Sequence, residues 1–154
     1  MEAHSDWYNR TVKAINLHKD TFTKKDSKKY KLDLLLRLVK RVDDFSATCG
    51  ECQMFQPEIT KLTEGLYYVF NMPKEESKSY FKTISNITKH LQKQHKLVKE
   101  GQSMGIGIAI GIGIGAAFGA IFDNPGAGTA IGIAIGVAIG KYMDNKAKKE
   151  GKVI

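Results

Sequence analysis

Residues 104–122 read MGIGIAIGIGIGAAFGAIF, nineteen consecutive residues without a charge. At 1.5 Å per residue a helix of this length covers about 28 Å, close to the roughly 30 Å hydrocarbon core of a bilayer. Asp123-Asn124-Pro125-Gly126 follows and is a strong turn signal. A second apolar run then extends from Ala127 to Met143, uncharged until Lys141, which can snorkel to the interface. Gly107-Ile-Ala-Ile-Gly111 recurs as Gly132-Ile-Ala-Ile-Gly136, so the two arms look like an internal duplication. The pattern predicts a transmembrane helical hairpin over residues 101–143.

The alternation of Gly or Ala with Ile has period two, which on a simple count signals a β-strand. Three considerations oppose that reading. An isolated pair of strands in lipid leaves its edges unpaired. The lengths exceed the nine to eleven residues of a membrane strand. The small residues also fall at i, i+4: Gly107, Gly111, Gly115 and Gly119 on the first arm, Gly128, Gly132, Gly136 and Gly140 on the second. On a helix this spacing makes a groove in which another backbone can approach closely. Fibrillar assembly of the β-branched, uncharged segments outside a membrane is the competing outcome.

A second small-residue stripe runs through Gly105, Ala109, Gly113 and Ala117, and through Ala130, Ala134 and Ala138. Residues two apart on a helix are rotated by about 200°, so this stripe lies nearly opposite the first. One groove is expected to pack the hairpin partner and the other to receive a neighbouring chain, which predicts a homo-oligomer.

These repeats resemble the glycine-zipper membrane proteins, a loose class of small bacterial proteins. The resemblance covers residues 104–143 and implies close helix packing in a membrane, with no particular activity. The first arm is also similar to the glycine-repeat helix of rotary ATP synthase c-subunits, which form tight rings. That family places a carboxylate in mid-membrane on its second helix, and the stretch Ile131 to Ile139 has none. Proton translocation of that kind is therefore not implied. In outline alone, a basic helical domain and an apolar hairpin, the chain looks like pore-forming toxins such as colicins.

Eleven of the fifteen glycines lie between Gly105 and Gly140, so the rest of the 154-residue chain has a different character. Residues 1–99 carry a net charge of +7 and the stretch from Lys141 onward +3. Such a balance suits an anionic partner, and lysines beside an apolar segment favour the lipid bilayer over nucleic acid. Lys89, Lys93, Lys96 and Lys99 precede the first arm, and Lys141, Lys146, Lys148 and Lys149 follow its partner. The positive-inside rule then places both termini in the cytoplasm and the turn across the bilayer. The resemblance implies a bacterial inner membrane. The opening residues, Met1 to Trp7, lack the basic and apolar regions of a secretory signal.

Four amphipathic helices are predicted ahead of the hairpin, with short connections that suggest an antiparallel bundle. The first spans 6–22, with Ser5 as N-cap and Trp7, Thr11, Ile15, His18 and Phe22 along one stripe. After a polar turn at 23–27, the second covers 27–48 and turns Leu32, Leu35, Leu38, Val39, Val42 and Phe45 inward. The third begins at Pro57 and carries Ile59, Leu62, Leu66 and Val69, until Asn71-Met72-Pro73 breaks it. The fourth starts near Lys74, with Glu75 and Glu76 at its positive end, and continues through Tyr80, Phe81, Ile84, Ile87, Leu91, His95 and Val98. The expected fold is all-α: a basic helical bundle over 1–100, the hairpin over 101–143 and a basic tail over 144–154.

Cys49 and Cys52 are spaced C-x-x-C, and with His90 and His95 they form a Cys2His2 set suited to tetrahedral zinc (Zn2+). Fourteen residues down the third helix and fourteen up the fourth return the chain near position 88, level with the cysteines. A five-residue spacing on a helix turns about 140°, so both histidines can bind only if the helix loosens there. Otherwise His18 or His4 completes the set. The alternatives are a reduced cysteine pair or a redox motif, though the latter lacks the strand–C-x-x-C–helix context. Bound zinc would be structural.

No phosphate loop, dinucleotide fingerprint, Ser-His-Asp set or paired carboxylates stand out, so no enzyme is expected. The lysines at 24, 25, 28, 29 and 31 lack the interleaved aromatics of a nucleic-acid reader. Three functional readings remain. The first is a self-associating membrane protein that permeabilises the bilayer under control of its helical domain. The second is a passive anchor whose basic domain recruits a cytoplasmic protein partner, and the third an intracellular regulator that binds nucleic acid near the membrane.

Overall fold

The computed structural model describes residues 4–71 and 74–154, and the side chains of 69–76 are left aside. Among the described residues the chain is helical, with one isolated bridge pair and no strand. The elements are α1 (Asp6–Thr21), α2 (Lys24–Lys29), α3 (Leu32–Ser46), α4 (Gly50–Gly65), a 3-10 segment (Leu66–Asn71), α5 (Lys74–Gln94), α6 (Gln102–Ile121) and α7 (Pro125–Lys149). Two compact units result: residues through His95 together with Ile154, and Lys96–Val153.

The first unit is organised around α3. Leu32, Leu35, Leu38, Val39 and Val42 recur at helical spacing and are fully buried. They pack with Ile15 of α1, Ile59 of α4, and Ile87 and Leu91 of α5 in one apolar core. Each such side chain contributes about 1.5–3 kcal/mol of burial. Polar ties fix the register of the helices. Trp7 Nε1 donates to Thr60 Oγ at 3.1 Å, and Tyr80 donates its hydroxyl to the Tyr30 carbonyl at 2.8 Å. Ser5 caps α1 as expected, its Oγ accepting from the Tyr8 amide.

Several boundaries differ from the sequence reading: α5 ends at Gln94 rather than continuing through Val98, and α7 extends to Lys149 within the stretch expected as a tail. The polar stretch after α1 is the short helix α2, because Thr23 caps it by accepting from the Asp26 amide. The second long helix begins at Leu32, because Lys31 sits in the left-handed region at φ 55° and breaks the helical path. The third begins at Gly50, seven residues before Pro57, which lies inside the helix. Proline's fixed φ suits a helix, but at an interior position it forgoes the amide bond to the Gln53 carbonyl and its ring crowds that carbonyl. Met72 and Pro73, and the side chains of Val69, Glu75 and Glu76, lie outside the described residues.

The second unit is the expected hairpin. The α6–α7 turn is a Schellman motif: Asn124 N donates to Gly119 O at 2.8 Å, and Asp123, at φ 52°, donates to Ala120 O at 3.4 Å. Asn124 then caps α7 through its side chain, with Pro125 at the first helical position. Another Schellman motif ends α7, where Gly151 takes φ 66° and Lys152 N donates to Ala147 O at 2.9 Å. Val98 N bonds Lys152 O at 2.9 Å, and Lys148 pairs with Glu100 at 2.8 Å, which together close the base of the hairpin.

Candidate metal centre and helical seam

In the first unit α4 begins within the C-x-x-C. Cys49 is its N-cap, in extended conformation, and Cys52 lies in its first turn. His90 belongs to the last turns of α5, while His95 is the first residue beyond Gln94. Lys96 follows in the left-handed region at φ 55°, which terminates the helix. The loosening that the five-residue histidine spacing requires is therefore the end of α5 itself.

The ligand atoms of Cys49, Cys52, His90 and His95 all lie within 4.8 Å of one another. His90 Nε2 is 3.4 Å from both sulfurs, and His95 Nε2 is 3.4 Å from Cys52 Sγ. Tetrahedral zinc, with bonds of about 2.3 Å to sulfur and 2.0–2.1 Å to nitrogen, separates sulfur from nitrogen by roughly 3.5 Å. The donor set and its spacing thus fit zinc. Phe45 stacks on the His95 ring at 3.9 Å, and Phe55 meets His90 edge-on at 5.3 Å. His4 stacks on Tyr8 and lies 3.3 Å from Asp43, and neither it nor His18 joins the four.

Burial, the Cys49 thiol and the Glu51 carboxylate push the Cys52 thiol up to about 12. Burial and the neighbouring His90 hold His95 below its ordinary value. The cluster on its own is thus a protonated thiol beside a neutral imidazole, and a metal must displace the thiol proton to bind.

The sequence reading passed over Glu51. Its Oε2 lies 2.9 Å from His90 Nδ1, on the side of the ring away from the sulfurs. A carboxylate between two candidate cysteine ligands was the available signal.

In the second unit the eight i, i+4 glycines face each other along the α6–α7 seam. A Cβ on Gly111 would collide with the Gly132 carbonyl, and one on Gly132 would collide with that of Gly111. The same reciprocity joins Gly107 to Gly136 and Gly115 to Gly128. Gly119 closes on Asn124 and Pro125, and Gly140 on Ser103 and Met104. The Cα hydrogen that replaces each side chain is directed at a facing carbonyl, a weak Cα–H···O contact.

The isoleucines point the other way. Ile110, Ile114, Ile131, Ile135 and Ile139 are each more than half exposed, while Gly115, Gly119, Gly132, Gly136 and Gly140 are buried. A helix pair that buries glycine and exposes isoleucine is inside-out for water and suited to hydrocarbon. Both helices are long and apolar enough to cross a membrane.

Residues 98–146 match the glycine zipper membrane protein family. The chain is accordingly membrane-associated through this segment. No curated protein and no solved structure matches the chain.

The glycine zipper is closed at its base by Asp144, a residue the sequence reading left in the tail. Its two carboxylate oxygens accept from the Ser103 and Met104 amides, each at 3.0 Å. Those amides open α6, whose N-cap Gly101 has no side chain to offer. Gly140, one turn earlier, permits the approach. The cap crosses between helices, so no local capping signal betrays it. Thr129, the hydroxyl within the zipper, is used locally by the Pro125 carbonyl at 2.7 Å.

Proposed function

We propose that the chain is a membrane-inserted protein whose glycine zipper hairpins self-associate, permeabilising the bilayer under control of the N-terminal helical unit. The observation that carries this reading is the division of the two small-residue stripes. The first is consumed in the α6–α7 seam. The second is open: a Cβ at Gly105 or Gly113 meets nothing within 4 Å, and Ala109, Ala117, Ala130, Ala134 and Ala138 are exposed. In lipid, where apolar burial gives no drive, such a groove is what lets a second backbone approach. Any pore would be lined by glycine backbone and isoleucine and gate by dewetting. Both termini are taken to face the bacterial cytoplasm, with the Asp123 turn across the inner membrane.

The helical unit is read as a domain clamped by structural zinc at Cys49, Cys52, His90 and His95. His95 immediately precedes Lys96, where the hairpin unit begins, so a metal would hold the chain just before it enters the membrane segment. A structural ion would also support a modest core. We assign the chain no enzymatic activity.

The second reading is a passive anchor with a basic adaptor domain. Exposed Tyr67, Tyr68, Leu17 and Met54 on the helical unit favour it, since such side chains are common at protein contacts. Dye release from liposomes separates the two. The parent is expected to release dye, and the Gly105→Leu/Gly113→Leu variant, with its seam intact, to insert without release. Intact liposomes carrying the inserted parent would put the anchor first. Gly111 and Gly115 are unsuitable for this test, because they lie in the seam and their replacement would open the hairpin itself.

A further inference from the structure

We propose that Glu51 is a positioning residue for the metal centre: it holds the Nδ1–H tautomer of His90 and so presents Nε2 to the cation. This deepens the zinc reading above and rests on it for its second measurement.

His90 can offer either ring nitrogen, and a neutral imidazole carries one proton. The side with the ligands is fixed by geometry, since Nε2 stands 3.4 Å from both Cys49 and Cys52 sulfurs. The other side is met by Glu51 Oε2 at 2.9 Å from Nδ1. A carboxylate can only accept there, so the proton belongs on Nδ1 and the lone pair on Nε2. The ring has little freedom to turn. It is 8 % exposed, with Phe55 at 5.3 Å edge-on and His95 at 5.3 Å.

Glu51 reaches this position because of where α4 starts. With Cys49 as N-cap, Glu51 is the second residue of the first turn, between the two cysteines in sequence. A carboxylate there also suits the positive end of the helix. One helical start therefore delivers two thiols to one nitrogen of His90 and a carboxylate to the other. Such carboxylate–histidine–metal arrangements orient the ligand and raise its basicity, and losing the outer partner weakens metal binding 10–100-fold. Glu51 is 55 % exposed, so solvent competes and the effect belongs near the lower end, about tenfold.

The test uses the full chain in detergent, as parent, Glu51→Ala and Glu51→Gln. The first measurement is long-range proton–nitrogen correlation on the His90 ring of the metal-free protein at one fixed pH. The parent and Glu51→Gln, whose amide oxygen still accepts, are expected to show the Nδ1–H tautomer. Glu51→Ala is expected to shift toward Nε2–H. The second is Co2+ affinity, measured by competition with a coloured chelator and by sulfur-to-cobalt charge-transfer bands. Glu51→Ala is expected to bind about tenfold more weakly, and Glu51→Gln to stay within about threefold.

An unchanged tautomer in Glu51→Ala overturns the proposal, as does parent-like Co2+ affinity. Failure of the parent to bind Co2+ overturns the metal reading, while the tautomer measurement still decides whether Glu51 positions the ring. Cys52→Ser sets the background for a dismantled site.

Discussion

Alanine at Gly111 and alanine at Gly113 differ by two positions on one helix and should have opposite effects. At 111 the new methyl would strike the Gly132 carbonyl, lying 2.8 Å from its carbon and 3.4 Å from Gly136 Cα. All of these are backbone atoms and none can rotate aside. Ordinary contact begins at 3.4 Å, so the helices must part by at least 0.6 Å at the carbonyl carbon. The seam contains six reciprocal glycine-to-carbonyl approaches. At about 0.5–1 kcal/mol each they supply roughly 3–6 kcal/mol in total. A gap of about 0.5–1 Å forfeits a quarter to a half of such attraction. The expected loss is therefore about 1–3 kcal/mol, partly offset by alanine's helix preference of up to about 1 kcal/mol.

At 113 a methyl meets nothing, so only the propensity gain remains. The assay is unfolding in a detergent mixture, read by energy transfer between dyes on cysteines at the exposed positions Ile110 and Ile135, with Cys49 and Cys52 replaced. Gly111→Ala should open at lower denaturing-detergent fraction than the parent, and Gly113→Ala at an equal or higher one. Equal destabilisation by both, or a tolerated Gly111→Ala, would refute the assignment of the seam.

Three further outcomes follow from the same geometry. Asp144→Ala should cost about 1 kcal/mol of hairpin stability by orphaning the Ser103 and Met104 amides, with Asp144→Asn in between; the same energy-transfer assay reads it. Chelation should lower the unfolding temperature of the helical unit in the parent and leave Cys52→Ser unchanged, as followed by circular dichroism; a parent indifferent to chelator would remove the structural ion. Metal affinity should rise with pH between 6 and 8, because Cys52, pushed up to about 12, must give up its proton to bind. Calorimetry in buffers of different ionisation enthalpy should register that proton, and a pH-independent affinity would oppose thiolate ligation.

The hairpin was legible because its information is periodic. Charge-free length, the Asp123–Gly126 turn and the four-residue glycine spacing each point to two packed helices, and the all-glycine stripe of each arm is the one in the seam. The metal-ligand grouping was legible from chain arithmetic along two helices, though α4 starts earlier than Pro57 suggests. Proline marks a helix start only as a preference, and α4 starts instead after Cys49, whose carbonyl already accepts from the Gln53 amide at 3.1 Å. The short helix α2 and the late start of α3 turn on Thr23 as a cap and on Lys31 at positive φ, which a lysine gives no reason to expect. Asp144 and Glu51 were missed for a shared reason. Each acts on a residue some forty positions away; nothing beside Asp144 signals it, and the flanking cysteines mark Glu51 without naming its partner.

The claim on which the whole account depends is that residues 104–143 cross the bilayer twice. Impermeant maleimide labelling of single cysteines at Asp123 and at Asn145, in a chain lacking Cys49 and Cys52, tests it in sealed right-side-out bacterial membrane vesicles. The account predicts that Asp123→Cys labels at once and Asn145→Cys only after permeabilisation, with the protein retained after alkaline carbonate washing. Equal labelling of both positions before permeabilisation, with release by carbonate, would contradict it.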